Sequence, residues 1–362
     1  MKKILVTGGA GFIGSNFIRM LLSTRPEVQV VNLDALTYAG SLSNLEGLPS
    51  PENYSFVQGD ICDQKLVEGL LRQHHIDTIV HFAAESHVDR SIVGPAQFIQ
   101  TNVVGTFALL EAARQVWLKE QTMGSDVVRF HHVSTDEVFG SLEPDDPPFS
   151  ETTPYVPRSP YSASKASSDH LVRAYYHTYG LPVTITNCSN NYGPYQYPEK
   201  LIPLFILNAL EGKALPVYGD GRQIRDWLYV EDHCAAIAAV IERGQPGETY
   251  TIGGGNQPTN LELIGAICHI LDEEAPESRF VPHSSLIKFV ADRQGHDRRY
   301  AMNSRKIQSE LGWQPRESLE SGLRKTVRWI LGHPEWVNGL RSTPVYLEWM
   351  DKNYARRGEA VK

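Results

Sequence analysis

The sequence predicts an α/β fold in which a doubly wound parallel sheet carries a second, smaller and discontinuous α/β region. In the first half of the chain, short runs of β-branched and aromatic residues alternate with segments whose apolar residues recur at helical spacing. Such repeated strand–helix units favour a parallel sheet with helices on both faces. From about Pro198 the alternation weakens, and the segments become shorter and richer in proline.

Length and composition agree with a soluble globular protein. The 362 residues are enough for one large domain and a smaller one, and 41% of them are hydrophobic while 21% are charged. A formal net charge of -8 argues against a nucleic acid partner, because nucleic acids are bound by basic surfaces. No segment approaches the roughly 20 apolar residues that a membrane span requires.

The four cysteines are scattered, with no C-x-x-C pair and no matching histidine spacing. This pattern is typical of reduced thiols, so we expect a cytoplasmic protein. The adjacent pairs His74-His75 and His131-His132 diverge on regular structure, and no metal site is predicted.

The first strand–helix unit contains a glycine-rich turn. Residues 3–7 predict a buried strand, and Gly8-Gly9-Ala10-Gly11-Phe12-Ile13-Gly14 follows it directly, before a helical pattern. These glycines let the backbone approach a pyrophosphate, whose charge the helix N-terminus attracts. The next strand, residues 28–33, ends in Asp34, which can bind ribose hydroxyls and would repel a 2′-phosphate. We therefore predict NAD as the cofactor, against the alternative of a simple glycine turn.

The third predicted strand, residues 54–57, leads to Asp60. This aspartate could hydrogen-bond the adenine edge, or it could cap the helix that begins near Asp63. The residues alone leave both interpretations open.

The fourth predicted strand, residues 78–82, ends at Ala83 and Ala84. Small side chains at this point let a cofactor lie close to the backbone, and Ser86 could face a substrate. Residues 103–118 then predict a long amphipathic helix.

The most informative stretch runs from Ser134 to Lys165. Residues 127–133 are rich in β-branched and aromatic side chains, so they predict a strand that ends near Ser134. Asp136 and Glu137 would then lie at the carboxyl end of this strand, where open parallel sheets bind ligands. Two adjacent carboxyl groups could divide the roles of acid and base there, or form an ordinary acidic surface pair.

Tyr161 and Lys165 follow at the spacing of one helical turn. They lie on a helix predicted to open after Pro160, so their side chains share one face. A lysine ammonium near a phenol would lower the phenol's pKa and make the tyrosine a usable base. The alternative is a tyrosine and a lysine exposed on a helix surface.

Later polar residues extend the predicted ligand edge. Residues 182–187 predict a strand that delivers Asn190 and Asn191 to it, where their amides could bind a ligand oxygen or fix a turn. The guanidinium of Arg225 could bind a diphosphate in a bidentate way, or form a salt bridge to Asp226 or Glu231.

The remaining elements are predicted from short periodic segments. Residues 231–243 predict a helix, residues 248–252 a strand, and Asn260 the N-cap of a further helix. The last helices, near residues 305–311 and 319–331, have no polar cluster that suggests more than a structural role.

Four motifs together resemble the extended short-chain dehydrogenase/reductase family. They are T-G-G-A-G-F-I-G from Thr7, A-A-E-S-H-V-D-R-S from Ala83, S-T-D-E-V-F-G from Ser134 and Y-S-A-S-K from Tyr161. The T-D-E triplet resembles the dTDP-glucose 4,6-dehydratase branch of that family. Later stretches such as N-C-S-N-N-Y-G-P-Y from Asn187 extend the resemblance over nearly the whole chain.

The resemblance implies two sets of binding residues and a Rossmann-type fold. The set for NAD is Gly8, Gly11, Phe12, Ile13, Gly14, Asp34, Leu36, Thr37, Asp60, Ile61, Phe82, Ala83, Ala84, Ser86, Thr101, Tyr161, Lys165 and Asn191. The set for a nucleotide-sugar substrate, with dTDP-glucose favoured, is Ser86, Thr135, Asn190, Glu199, Lys200, Leu201, Pro216, Tyr218, Arg225, Asn260, Asp292, His296 and Tyr300.

The resemblance also implies a reaction, the loss of water from dTDP-glucose to give dTDP-4-keto-6-deoxyglucose. Tyr161, helped by Lys165, would take the C4 hydroxyl proton while a retained NAD takes the hydride. Glu137 would remove the C5 proton, Asp136 would protonate the departing C6 hydroxyl, and Thr135 would bind the sugar near C4. The alternatives are an NAD-dependent nucleotide-sugar 4-epimerase, which needs no acid pair, and a non-catalytic NAD-binding protein.

The expected organisation has three parts. Residues 1–192 with roughly 222–259 would bind NAD, roughly 193–221 with 260–315 would bind the nucleotide sugar, and 316–362 would form C-terminal helices. The resemblance implies a homodimer formed through two long helices, the predicted one at residues 103–118 and the one that carries Tyr161.

Overall fold

In the computed structural model, which describes residues 1–124, 126–292 and 297–354, seven strands form one parallel sheet in the order β10-β6-β5-β4-β1-β2-β3. Two short parallel pairs, β7 with β9 and β8 with β11, lie outside it. The predicted doubly wound sheet is therefore confirmed. The strands are β1 (Lys3–Thr7), β2 (Gln29–Asp34), β3 (Tyr54–Gln58), β4 (Thr78–His81), β5 (Arg129–Thr135), β6 (Val183–Cys188), β7 (Asn190–Tyr192), β8 (Leu215–Tyr218), β9 (Trp227–Tyr229), β10 (Thr249–Ile252) and β11 (Ile287–Val290).

Helices cover both faces of the sheet and extend beyond it. They are α1 (Phe12–Thr24), α2 (Gln64–Gln73), α3 (Val88–Val93), α4 (Pro95–Phe98), α5 (Thr106–Ala113), α6 (Pro160–Tyr179), α7 (Leu201–Leu210), α8 (Val230–Arg243), α9 (Asn260–Glu274), α10 (Arg305–Leu311), α11 (Leu319–Gly332), α12 (Pro334–Arg341) and α13 (Pro344–Tyr354). π-helical segments at Ile99–Gly105 and Arg114–Lys119 flank α5, so the predicted helix at residues 103–118 is part of a longer helical run.

The first strand shows how the sheet forms two cores. Leu5 points into a core formed with α2, α5 and α6, whereas Ile4 and Val6 point into a second core formed with α1 and α8. Side chains alternate between faces along a strand, and here both faces are apolar because both are covered. This explains why the strands read as continuous apolar runs.

A further apolar core lies outside the sheet. It joins α7, α9 and α11 through residues that include Phe205, Ile267 and Val327, and it also contains Tyr192 and Trp227 from the β7–β9 pair. The irregular second half of the sequence therefore builds a packed region of its own, next to the point where β6 ends.

Local capping explains the start of α6, which carries Tyr161 and Lys165. The Ser159 hydroxyl accepts a hydrogen bond from the Ser162 N–H, and the Ser162 side chain binds the Ser159 backbone in return. Pro160 occupies the first helical position, where its missing N–H costs nothing. Gly180 ends the helix with a left-handed φ of 70°.

At two helices, the capping residue is a different one from the residue that the sequence suggested. Asp63 caps α2 by accepting from the Leu66 N–H, whereas Asp60 accepts from the N–H of Cys62. Asn260 is the first residue of α9 rather than its cap, because the Thr259 hydroxyl binds the third N–H of the helix. Boundaries shift by one residue when neighbouring side chains can all accept such a bond.

Across the described residues, we find no helix with the length and apolar character to cross a membrane.

Candidate active site

A cavity of about 360 Å³ lies along the carboxyl edge of the sheet. Residues at or just beyond the ends of β1 to β6 line it, as expected for an open parallel sheet. The cavity brings together most of the residues that the sequence predicted. These are Gly8, Gly11, Phe12, Ile13, Gly14, Asp34, Thr37, Asp60, Ile61, Phe82, Ala83, Ala84, Ser86, Thr101, Thr135, Asp136, Glu137, Tyr161, Lys165, Asn190, Asn191 and Lys200.

Two glycines of the turn, Gly8 and Gly14, have no room for a Cβ atom. A Cβ on Gly8 would lie 2.6 Å from the Ala83 backbone nitrogen, and Gly8 also has a φ of +72°. A Cβ on Gly14 would lie 2.4 Å from the Gly8 carbonyl oxygen. Gly11 caps α1 without a side chain, and the first turn of this helix contains no acidic residue. The first N–H groups of α1, which have no acceptor within the helix, are therefore suited to a diphosphate.

Asp34 binds the same turn. Its Oδ2 accepts a hydrogen bond from the Ala10 N–H at 2.9 Å, and its Oδ1 accepts from the Leu36 N–H at 2.8 Å. Burial raises the pKa of this carboxyl, although the two hydrogen bonds oppose the increase. Sequence reasoning missed Asn32, whose Oδ1 accepts from the Gly9 N–H at 3.0 Å. A polar residue inside an apolar strand was the available signal.

The acid pair follows β5. Thr135 ends the strand, and its hydroxyl accepts from the Glu137 N–H and donates to Asp136 Oδ1, each at 3.2 Å. Asp136 is 1% exposed, and its Oδ2 has no hydrogen-bond partner within the part of the chain that the structure describes. Burial, with smaller contributions from Glu137 and Asp226, raises the pKa of Asp136 well above its usual value. A raised pKa favours the protonated carboxyl group, which is the form that can donate a proton.

Tyr161 and Lys165 both line the cavity, but the pKa of the tyrosine differs from the prediction. Lys165 Nζ donates to the Val133 carbonyl oxygen at 2.8 Å and lies 3.4 Å from His132 Nε2. Burial lowers the pKa of Lys165 to about 8. Burial first, and then Glu137, raises the pKa of Tyr161, so the predicted net lowering of this pKa is wrong.

The two asparagines line the cavity, and Asn191 also fixes the local backbone. Its Nδ2 donates to the Ser189 carbonyl oxygen at 2.9 Å, and its Oδ1 lies 3.0 Å from His233 Nδ1. Lys200 lies on the same wall, and burial lowers its pKa.

Several predicted substrate residues lie beyond this lining, and Leu36 does too. The substrate residues are Glu199, Leu201, Pro216, Tyr218, Arg225, Asn260, Asp292 and Tyr300. His296 is outside the described residues.

Glu199 belongs to a buried ion-pair network. Its Oε2 lies 3.2 Å from Arg90 Nη2, and its Oε1 lies 3.6 Å from His87 Nε2. The Arg90 guanidinium in turn lies between the rings of Tyr38 and Trp349, at 3.9 and 4.1 Å from their centroids. A partner 109 positions away could not be inferred from local sequence.

Arg225 is buried against the ring of Tyr300, with its guanidinium 4.4 Å from the ring centroid. Nη2 donates to the Asp297 carbonyl oxygen and Nη1 to that of Ile224. These contacts hold the guanidinium plane, which suits a phosphate ligand better than a mobile side chain would.

Gln223, which the sequence did not single out, joins other predicted substrate residues. Its side-chain Nε2 donates to Asp292 Oδ2 at 3.1 Å, and its backbone carbonyl oxygen accepts from the Asn260 N–H at 2.9 Å. Tyr218 ends the adjacent strand β8. Asn260 and Asp292 therefore meet at one glutamine, although they are far apart in the chain.

Comparisons with known proteins agree with this arrangement. The family model described as GDP-mannose 4,6 dehydratase matches residues 5–326. A Shigella flexneri protein named dTDP-glucose 4,6-dehydratase is 55% identical over 363 residues, covering 98% of this chain and 99% of its own length.

Solved structures extend the similarity to the fold. The dTDP-glucose 4,6-dehydratase of Streptomyces venezuelae, with NAD and dTDP bound, has a TM-score of 0.84 and 49% identity, covering 93% of this chain and 99% of that one. The UDP-glucose 4-epimerase of Thermotoga maritima, with UDP-glucose, has a TM-score of 0.80 but only 29% identity, covering 92% and 99%. The fold is common to both proteins, and the sequence is much nearer to the dehydratase.

Proposed function

The chain belongs to the GDP-mannose 4,6 dehydratase family. Because it is 55% identical to a relative named dTDP-glucose 4,6-dehydratase, we propose that it is an enzyme of that kind. It converts dTDP-glucose into dTDP-4-keto-6-deoxyglucose and water, as an NAD-dependent hydro-lyase. The observation that carries the proposal is the position of Asp136 and Glu137 in the same cavity as Tyr161 and Lys165. A 4-epimerase needs only the tyrosine and the lysine, whereas elimination of water needs an acid and a base of its own.

The residues of the cavity fit NAD. The glycine positions that a Cβ would fill and the free N–H groups of α1 suit a diphosphate, and the Asp34 carboxylate suits ribose hydroxyls. NAD held by these residues would supply the hydride acceptor for oxidation at C4 and the hydride for reduction at C6.

The first step is oxidation at C4. Tyr161 removes the proton of the C4 hydroxyl as the C4–H bond breaks, and Thr135 hydrogen-bonds the sugar beside it. Because burial raises the pKa of the phenol, Tyr161 needs a positive charge nearby to act near neutral pH. Lys165, one helical turn away, supplies it.

The second step is elimination across C5 and C6. The new 4-keto group makes the C5 hydrogen acidic, and Glu137 removes it as a proton. The electron pair forms the C5–C6 double bond while the C6–O bond breaks, and Asp136 protonates the leaving hydroxyl to give water. Glu137 returns its proton to C5 at the end of the cycle.

The surroundings of the two acids support this division of roles. Asp136 is buried, and its raised pKa favours the protonated form that a general acid requires. Glu137 is only partly buried and lines the cavity, which gives it the access to the sugar that a general base requires.

The organisation of the chain follows the same proposal. Residues 1–192 with about 222–259 bind NAD, about 193–221 with 260–315 bind the nucleotide sugar, and 316–362 add C-terminal helices. We also place the enzyme in the cytoplasm, because its four cysteines are free thiols, as is typical of a reducing compartment.

We also propose a homodimer. Large apolar side chains are exposed along α3 and the following helical run, among them Ile92, Val93, Ile99, Val104 and Phe107. A second copy of the chain would bury this surface. Sedimentation analysis of the parent protein and of Phe107→Lys tests the interface, since the lysine should give monomers.

The decisive experiment supplies purified protein with dTDP-glucose and follows product mass and the alkaline chromophore of a 4-keto sugar. A dehydratase gives a product lighter by one water, whereas an epimerase gives a galactose-configured product of unchanged mass. UDP-glucose in a parallel reaction measures the preference for thymine, for which a methyl group is worth about 1–3 kcal/mol. Formation of the galactose-configured product alone would overturn the proposal.

A further inference from the structure

A buried polar network lies behind Lys165, on the side away from the cavity. His132 on β5 and Asp169 on α6 are both completely buried, and neither lines the cavity. The Nε2 atom of His132 lies 3.4 Å from Lys165 Nζ and 3.1 Å from Asp169 Oδ1. One ring nitrogen therefore joins the ammonium to the carboxylate.

Asp169 is held firmly in place. Its Oδ2 accepts hydrogen bonds from Tyr155 Oη at 2.7 Å, Ser134 Oγ at 2.9 Å and Asn187 Nδ2 at 3.1 Å. Arg173 Nη2 donates to the same Tyr155 oxygen at 2.7 Å. These donors stabilise the carboxylate form, and the remaining cost of burying its charge is offset by an opposite charge nearby.

We propose that Asp169, acting through His132, is a positioning residue that keeps Lys165 charged during C4 oxidation. This inference rests on the proposed function for its catalytic consequence. The geometric argument concerns Lys165 itself, because an ammonium buried between β5 and α6 needs a compensating negative charge.

The charge states of the groups around Lys165 agree with this role. Burial raises the pKa of Asp169, but its contacts to His132, Lys165 and Tyr155 outweigh burial and bring the pKa to about 2, so it is a carboxylate. Burial, reinforced by Lys165, lowers the pKa of His132 to about 4, so its ring is neutral.

The other groups that face Lys165 carry no negative charge at neutral pH. Burial raises the pKa of the Cys188 thiol on β6 and lowers that of His81 on β4, so both are neutral. Burial raises the pKa of Tyr161 on α6 as well, and the remaining charged neighbour of the network, Arg173, is a cation. Asp169 is thus the compensating anion among the described groups of this network.

A neutral imidazole has a single ring N–H, which gives His132 two states. With Lys165 charged, Nε2 accepts from the ammonium. With Lys165 neutral, Nε2–H can instead donate to Asp169 Oδ1. In the first state Asp169 Oδ1, which has no hydrogen-bond partner among the described residues, lies 3.1 Å from Nε2, so its charge acts on Lys165 through space.

Asp169→Asn removes the charge and keeps the side-chain shape. An opposite charge nearby is worth about 1–3 pKa units, so the pKa of Lys165 should fall by about that amount. In single-turnover experiments on the NAD-loaded enzyme, C4 oxidation should be at least about tenfold slower at neutral pH, and its alkaline limb should move to lower pH by about 1–3 units. The NAD content and the KM for dTDP-glucose should not change.

A matched control is Asp272→Asn. Asp272 accepts from the backbone N–H of His283 and contacts its buried ring, so it also forms an aspartate–histidine pair, although a partly exposed one that lies away from the cavity. Its pH profile should superimpose on that of the parent. Asp169→Glu, which keeps the charge, should restore part of the parental profile.

A second measurement needs no substrate. In protein labelled with ¹³C at the lysine ε-carbon, the Lys165 resonance, assigned by its loss in Lys165→Arg, reports the pKa of that lysine directly. If the Asp169→Asn variant does not fold, His132→Gln replaces it, with the same direction of shift expected. An unchanged pKa of Lys165 would overturn the inference even with an active parent enzyme, whereas a parent that does not oxidise dTDP-glucose would overturn only the proposed function.

Discussion

The hydroxyl of Thr135 donates to one oxygen of Asp136 at 3.2 Å, while the other oxygen of that carboxyl is buried with no hydrogen-bond partner among the described residues. One oxygen is thus held in position, and the other can carry the proton that the leaving hydroxyl needs. The cost is a buried carboxyl group that water no longer stabilises.

Asp136→Asn should separate catalysis from stability. The amide cannot protonate the leaving group, so kcat should fall by about 10²–10⁴-fold. The pKa of Asp136 is raised in the folded protein, so the parent loses stability as pH rises from the unfolded value of 3.8 towards the folded value. The variant lacks this loss, so its Tm should exceed that of the parent by more at about pH 7.5 than at about pH 5.

Thermal unfolding at the two pH values, together with steady-state rates, measures both effects. A variant that loses activity and is also less stable at the higher pH would contradict a protonated Asp136.

Glu137→Gln should stop the reaction after the first step. Oxidation at C4 does not require this carboxylate, so NADH should appear transiently at close to the parental rate. Removal of the C5 proton does require it, and water loss should fall by about 10²–10⁴-fold. Stopped-flow absorbance follows NADH and mass spectrometry follows the product; normal turnover would eliminate the two-acid mechanism.

Tyr161→Phe should slow the oxidation itself by about 10²–10⁴-fold, because the base for the C4 hydroxyl is gone. In stopped-flow absorbance, NADH should then form more slowly, whereas in Glu137→Gln it forms normally and the later loss of water is blocked. Tyr175→Phe is the control, since Tyr175 is on the same helix but its hydroxyl donates to Glu111 on α5 at 2.5 Å. That variant should oxidise substrate at the parental rate.

Features that depend on local pattern could be predicted from the sequence. The strands β1 to β6 and the positions of the acid pair and the tyrosine follow from apolar periodicity and from the rule that ligands bind at strand ends. The positions of Asp34 and the glycine turn depend on the same rule. All of these residues meet in one cavity.

Features that depend on distant partners could not be predicted. The sequence shows only that Glu199 is next to a lysine, and it gives no sign of the buried contacts that Glu199 makes with Arg90 and His87. His132 and Asp169 read as ordinary polar residues of a strand and a helix until the fold brings them to Lys165. The pKa of Tyr161 likewise depends on burial, which local spacing does not reveal.

Gly14→Ala tests the assignment of the diphosphate to the glycine turn. The added Cβ would lie 2.4 Å from the Gly8 carbonyl oxygen and 2.8 Å from the Gly9 Cα. Both neighbours are backbone atoms, so the turn must open and the first N–H groups of α1 must move. Purified variant should therefore contain little NAD, and the Kd for added NAD, measured by calorimetry, should rise at least about tenfold, as expected for the loss of about 1.4 kcal/mol or more.

Gly265→Ala makes the same chemical change where it should do no harm. Gly265 lies in α9, nothing is within 4 Å of its added Cβ, and alanine favours a helix over glycine by up to about 1 kcal/mol. This variant should keep the parental NAD content with equal or greater thermal stability. Because both variants add one methyl group to a helical segment, a difference in NAD content between them can come only from the turn. If Gly14→Ala also retained its NAD, the diphosphate would have to bind somewhere other than the N-terminus of α1.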